Sequence, residues 1–133
     1  MNDKLNEPLA QELIERFIAA YNSFDIKGML RLVAADIRFE NYSGDRLTAA
    51  ATGIKEFRAL AEHAKALFSE REQRITSVEL RGSSAVVAIH YRGRLAADLP
   101  NGPTAGTVLE LEGTSEYFLR DGRIAKLIDR SSA

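Results

Sequence analysis

The chain has 133 residues, with 18 lysines and arginines against 19 aspartates and glutamates, a formal net charge of −1 and no cysteine. That length suits one domain with its own core, and the balanced charge leaves no electrostatic footprint for nucleic acid or an anionic membrane. The missing thiols exclude a disulfide framework, a cysteine nucleophile and any cysteine-ligated metal. The opening MNDKLNEPLA has no apolar signal core, and no run approaches the roughly 20 apolar residues of a membrane span. A cytoplasmic globular protein is expected.

Leu13, Ile14, Phe17, Ile18 and Tyr21 recur at helical spacing behind Pro8, which suits a first helical turn because its missing N–H would be unpaired there. They predict a helix over 7–22. Asp25 reads as an N-cap, with Phe24 and Met29 placed as a hydrophobic staple, for a short helix over 26–34. IRFENY at 37–42 alternates as a half-buried strand that carries Ile37, Phe39 and Asn41 inward. The stretch 43–52 reads as a loop from its Ser-Gly-Asp and Thr content. Ile54, Phe57, Leu60, Ala61, Ala64, Leu67 and Phe68 then mark a third helix over 54–69.

From there the period changes to two. Strands are predicted over 72–81, 84–95, 107–120 and 123–131, separated by Gly82-Ser83, a Pro-Asn-Gly-Pro loop at 100–103, and Asp121-Gly122. Asp-Gly is the strongest hairpin signal among them, because a tight primed turn demands positive φ at both central residues. Three helices in the N-terminal half and a mainly antiparallel, curved sheet make an α+β order, with the helices gathered on one face. The strand over 84–95 carries apolar residues on both faces, Val87, Ile89 and Tyr91 against Val86 and Ala88. No helix is left to cover the second face, so a symmetric homodimer packed through the outer sheet face is expected.

The order of elements, the opening RFIAAYNSFD (16–25), the strand IRFEN (37–41) and the closing hairpin DGRIAKLIDR (121–130) resemble the nuclear-transport-factor-2-like superfamily. Within it the chain looks most like the SnoaL-like polyketide cyclase and isomerase group. The resemblance spans nearly the whole chain, and implies one SnoaL-like domain over 1–133. It also implies a cone, an α+β barrel of the cystatin-like kind, with a ligand pocket between the curved sheet and the helices. This scaffold hosts many unrelated functions, so the resemblance is specific for the fold and not for the chemistry.

Carried over residue by residue, the resemblance is uneven. Ketosteroid isomerases of this fold place a carboxylate base at the end of the first strand, a tyrosine in the first helix and a second carboxylic acid on the fourth strand. Here Asn41, Phe17 and Ser115 stand at those positions, so isomerisation by that apparatus is not expected. Limonene-epoxide-hydrolase relatives place Tyr-x-Asn on the first strand, Arg-x-Asp on the third and an aspartate on the last. The corresponding residues here are Phe39-x-Asn41, His90-x-Arg92 and Asp129, which breaks the water-activating arrangement. In SnoaL-like cyclases an acidic pocket residue serves as general acid or base, and the resemblance nominates Asp129.

Strand phase bears on this nomination. If Ala125 and Leu127 face inward on the last strand, Asp129 does too, and the same parity on 84–95 would bring Val86, Ala88, His90 and Arg92 to that side. An isolated buried carboxylate would have its pKa raised, and a nearby arginine would pull it down again. In that arrangement Asp129 moves a proton, His90 orients or relays it, and Arg92 with Asn41 holds an oxyanion. Tyr21 and Tyr42 would line the mouth. The plainer alternatives are a salt-bridged strand end at Asp129, a hydrogen-bonded core histidine at 90, rim charges at Arg92 and Arg94, and core tyrosines. The Arg-rich EREQR (70–74) reads as a solvated face.

His63 and His90 are at no metal-binding spacing, and no GxSxG, Walker A or GxGxxG occurs. No metal and no cofactor is expected. Two functions fit. One is cofactor-free acid/base catalysis on a small apolar, carbonyl-bearing ligand, with Asp129 and His90 catalytic and Asn41, Arg92, Phe39, Tyr21 and Ser115 binding. The other is a non-catalytic ligand-binding or dimeric assembly module of the same fold.

Overall fold

The computed structural model describes residues 7–131; the first six residues of the MNDKLNEPLA stretch lie outside them. Helix α1 (Glu7–Asn22) buries Ala10, Leu13, Ile14, Phe17 and Ile18, one stripe at three- and four-residue spacing. Asp25 caps α2 (Ile26–Leu30) as expected, accepting the Gly28 N–H at 2.9 Å. That helix is a single turn and not the nine-residue element read from the sequence. Leu32 and Val33 leave it because they join the sheet: the Leu32 carbonyl accepts the Ile124 N–H at 2.8 Å, and Val33 pairs with Ile124.

Strand β1 (Val33–Ser43) turns at Gly44, which has φ 59°, into β2 (Arg46–Thr52). This second strand replaces the loop expected over 43–52. It is a sheet edge with mostly exposed residues, and it turns only small alanines inward, so its alternation is faint. Helix α3 (Ile54–Leu67) follows, then the meander β3 (Phe68–Arg81), β4 (Ser84–Leu95), β5 (Val108–Arg120) and β6 (Arg123–Ser131). Asp121 and Gly122 take φ 54° and 75°, the positive pair a primed turn requires.

The sheet order is β2-β1-β6-β5-β4-β3, antiparallel throughout except where β6 runs parallel to β1. Helices pack on its inner face around Ile14, Phe17, Ile37, Val87, Tyr117 and Ile124, giving the α+β cone. A bulge re-phases β6: Leu119 pairs with Ile124 and Phe118 with Lys126, so Ala125 is the extra residue. Ile124 therefore enters the core at 0% exposure, contrary to the inward Ala125 of the simple alternation, while Leu127 and Asp129 keep their inward phase. Among the described residues no helix is long and apolar enough to cross a membrane.

Candidate functional site

Between the helices and the inner face of the sheet lies a cavity of about 420 Å³, within the size range of small-molecule sites. Its walls are mainly apolar, and one group of polar side chains gathers where three neighbouring strands meet. Asn41 on β1 stands beside Asp129 on β6, and Asp129 stands beside Ser115 on β5, so the three form one row across the sheet. The row exists only because β1 and β6 are parallel neighbours, a pairing of residues nearly ninety positions apart.

Asp129 lies on the cavity floor. The residue as a whole is half-buried, and its carboxyl is set deep in protein. Burial pushes its pKa up to about 6 from an ordinary 3.8, against the opposing pull of the Ser115 hydroxyl, which donates to Oδ1 at 2.7 Å. Desolvation thus outweighs stabilisation of the anion, and no guanidinium contributes to its shift. Asn41 Nδ2 donates to Thr48 Oγ1 at 2.7 Å, tying this side of the floor to the edge hairpin.

Phenols supply further polar lining. Tyr117, two residues before Leu119 and two after Ser115 on β5, is fully enclosed; burial first, then the Asp129 carboxylate, hold its pKa well above the usual value. Tyr21 on α1 shares a hydrogen bond with Tyr91 on β4, hydroxyl to hydroxyl, at 3.1 Å. Burial raises both pKa values, while the Arg71 guanidinium acts in the opposite sense on each. Phe39 packs edge-on against Phe57 at 5.9 Å and forms part of the apolar wall.

Tyr21, Phe39, Asn41, Ser115 and Asp129 therefore all face one cavity. His90 and Arg92 do not. The residues of β4 that turn inward are Ala85, Val87, Ile89 and Tyr91, the opposite parity to the one expected, because the larger apolar set goes to the core. His90 lies on the outer face, its Nδ1 paired with Glu112 and its Nε2 3.5 Å from Glu110; the bond to Glu112 is the main reason its pKa is raised. Arg92 is exposed and stands in register between Glu72 and Glu110. A proton relay from His90 and an oxyanion contact from Arg92 are both ruled out by this geometry.

The cavity also holds residues the sequence reading passed over. Tyr91 shares the parity of Ile89, and Tyr117 that of Ser115, so correct phasing of β4 and β5 would have found both. Arg71, which the charge run predicts on a solvated face, does not line the cavity but is 6% exposed, since β3 turns Arg71 and Gln73 to the same side. Asn22 at the end of α1 clamps this strand, donating to the Gln73 carbonyl at 3.1 Å and accepting its N–H at 2.8 Å. Among the described residues no three side chains come together as metal ligands.

A curved sheet closed by helices over a mainly apolar cavity is the α+β cone of the nuclear-transport-factor-2-like class. The chain belongs to the SnoaL-like domain family, whose model matches residues 14–127. It is similar to the structure of a candidate polyketide cyclase from Xanthomonas campestris pv. campestris, with 21% identity over 95% of this chain and 92% of that one and a TM-score of 0.80. A candidate SnoaL-like polyketide cyclase from Jannaschia sp. CCS1 matches at 16% identity over 93% and 85%, with a TM-score of 0.79. TerC, co-crystallised with polyporic acid, matches at 18% identity over 91% and 89%, with a TM-score of 0.72. At these identities the likeness shows the fold alone. No curated protein matches the sequence.

Proposed function

We propose that this protein is a cofactor-free acid/base catalyst acting on a small apolar ligand that bears a carbonyl group, with Asp129 as the group that moves the proton. The observation that carries this reading is a carboxyl with a pKa of about 6 on the floor of an otherwise apolar cavity. Such a group exchanges protons in both directions near neutral pH, where an ordinary aspartate is too weak a base. Ser115 holds the carboxylate in one orientation through the 2.7 Å bond, leaving Oδ2 to face the ligand as base. Asn41 and the tyrosines bind the ligand's oxygen, and Phe39, Phe57 and Leu127 take its apolar body. The candidate cyclases and the TerC complex support a small organic ligand in a cavity of this fold.

The test is α-proton exchange of 2-tetralone, a bicyclic ketone, followed by proton NMR in D2O. Exchange above the buffer rate is expected, rising with pH through about 6 and falling about a hundredfold or more in Asp129→Asn. Bound tetralone with exchange no faster than buffer would instead establish a binding module.

We also propose that a second copy of the chain covers the outer sheet face. Val86, Ala88 and Phe118 lie there only half-buried, among the opposite charges of His90, Arg92, Glu110 and Glu112. Sedimentation should give a dimer that Val86→Asp dissociates; a monomeric wild type would refute this.

A further inference from the structure

Among the described residues Arg71 is a buried cation that joins no salt bridge. Its guanidinium is enclosed, with its centre 3.6 Å from the ring centroid of Tyr21 and 4.5 Å from that of Phe24. Nε donates to the Tyr21 carbonyl at 2.9 Å, but neither terminal nitrogen has a hydrogen-bond partner. Nor, among the described residues, does a carboxylate pair with it. Glu70 and Glu72 alternate onto exposed positions, Glu70 reaching Arg94 at 3.5 Å, and Asp129, the one carboxylate among the described lining residues, is held by Ser115. An uncompensated buried cation is costly, and proteins tolerate one only where something repays the cost.

The chain adds a second cost at the same place. Phe24 adopts φ 60°, a left-handed conformation that bulky side chains rarely take, and its ring lies on the guanidinium. Neighbouring Gln73 lines the cavity with Oε1 buried and without a partner. These unmet demands converge on the end of the cavity where Tyr21 and Tyr91 meet. Two hydroxyls there share one hydrogen bond, so one phenolic proton remains to be donated. In this low-dielectric setting the field of Arg71 reaches that point through the Tyr21 ring.

We propose that the cavity's ligand is a weak organic acid bound as its anion, its charged oxygen taking the proton of the Tyr21–Tyr91 pair and Arg71 serving as the fixed counter-charge behind them. The shared chemistry is an enolate, phenolate or carboxylate oxygen on an apolar body. Arg71 is thus a positioning residue, enclosed and acting through Tyr21. Arg130, the one cation among the described residues that line the cavity, is exposed and lies over Tyr42, 4.7 Å from its ring centroid. This inference deepens the proposed function by naming the ligand class, and rests on it only in requiring that the cavity bind a small molecule.

The probe is 4-nitrophenol, whose phenolate is coloured and whose neutral form is not, with uncharged nitrobenzene as control. It is titrated against Asp129→Asn, which removes the one carboxylate that would repel an anion. Bound nitrophenol should ionise at least one pH unit below free nitrophenol, a preference for the anion of about tenfold or more. Adding Arg71→Met or Tyr91→Phe should abolish that preference while nitrobenzene affinity stays within about twofold. The two variants probe counter-charge and donor separately, so Tyr91→Phe decides the matter if Arg71→Met does not fold. Absence of nitrophenol binding, ionisation no easier than in free solution, or a preference that survives these substitutions would overturn the inference. Because the titration is done without Asp129, it is independent of turnover: lost ketone exchange with a retained anion preference would defeat the catalytic reading alone.

Discussion

Replacing Asp129 by asparagine should stabilise the protein at alkaline pH. The carboxyl has a pKa of about 6 in the fold and 3.8 as an ordinary side chain, so between these values the native state binds more protons than the unfolded chain. Stability contributed by the group is then fully present below pH 3.8, falls as pH rises, and is lost above about 6. At about 1.4 kcal/mol per pH unit this interval amounts to about 3 kcal/mol, and partial exposure of the residue reduces it to about 2–3 kcal/mol. Asparagine is nearly the same shape, can still accept the Ser115 hydroxyl, and never ionises. Urea unfolding followed by circular dichroism, at each pH from 4 to 8, should show the variant more stable by about 2–3 kcal/mol at pH 8. The two proteins should converge near pH 4. A difference that is flat with pH, or a wild type that is the more stable at pH 8, would refute the desolvated carboxyl. Loss of exchange together with this gain would be the exchange of stability for activity expected of a functional group.

Ser115→Ala removes the hydroxyl donating to Asp129 at 2.7 Å, a hydrogen bond to a charge worth about 1.5–3 kcal/mol. The Asp129 midpoint should therefore rise by about one pH unit or more in a carbon-detected NMR titration; an unchanged or lower midpoint would contradict the geometry. At Gly113 a Cβ would stand 2.5 Å from the Arg130 carbonyl oxygen, backbone that cannot simply swing aside. Gly113→Ala should cost about 1–3 kcal/mol in urea unfolding by forcing β5 from β6, and a cost below about 0.5 kcal/mol would show the strands are not so close. His90→Ala, on the outer face, should leave ketone exchange within about twofold of wild type, whereas a loss as large as that of Asp129→Asn would restore the relay excluded above.

Most of the architecture was legible because local signals agreed. The α1 stripe, the Asp25 cap and the Asp121-Gly122 turn each report short-range physics, and all three appear in place. The losses fall where tertiary demands override them. Residues 31–34 continue a plausible helix by composition, yet the backbone of Leu32 and Val33 is claimed by β6. RLTAAAT is weakly strand-like by side chain, and it becomes a strand because Gly44 folds it back on β1. Arg71 sits in a run of charges, and only the alternation of β3 under α1 shows that one of them is enclosed.

The candidate site divides along the same line. Ser115, Phe39 and Asn41 belong to strands where one parity is clearly the more apolar, so a polar residue in phase with that face is conspicuous, whereas on β6 Ile124 and Ile128 oppose Ala125 and Leu127 and the bulge at Ala125 sets the phase of Asp129. Strand β4 gives no such contrast, because Val86 and Ala88 alternate with Ala85, Val87 and Ile89. What decides there is volume: the branched Val87 and Ile89 fill the core at 0% and 5% exposure, and the smaller set turns outward with His90 and Arg92. A polar residue therefore carries site information only after its strand's phase is fixed. On β4 that phase brings Tyr91 to the cavity and sets the imidazole among glutamates on the far side of the sheet, which is why the catalytic reading rests on one carboxyl and a group of phenols.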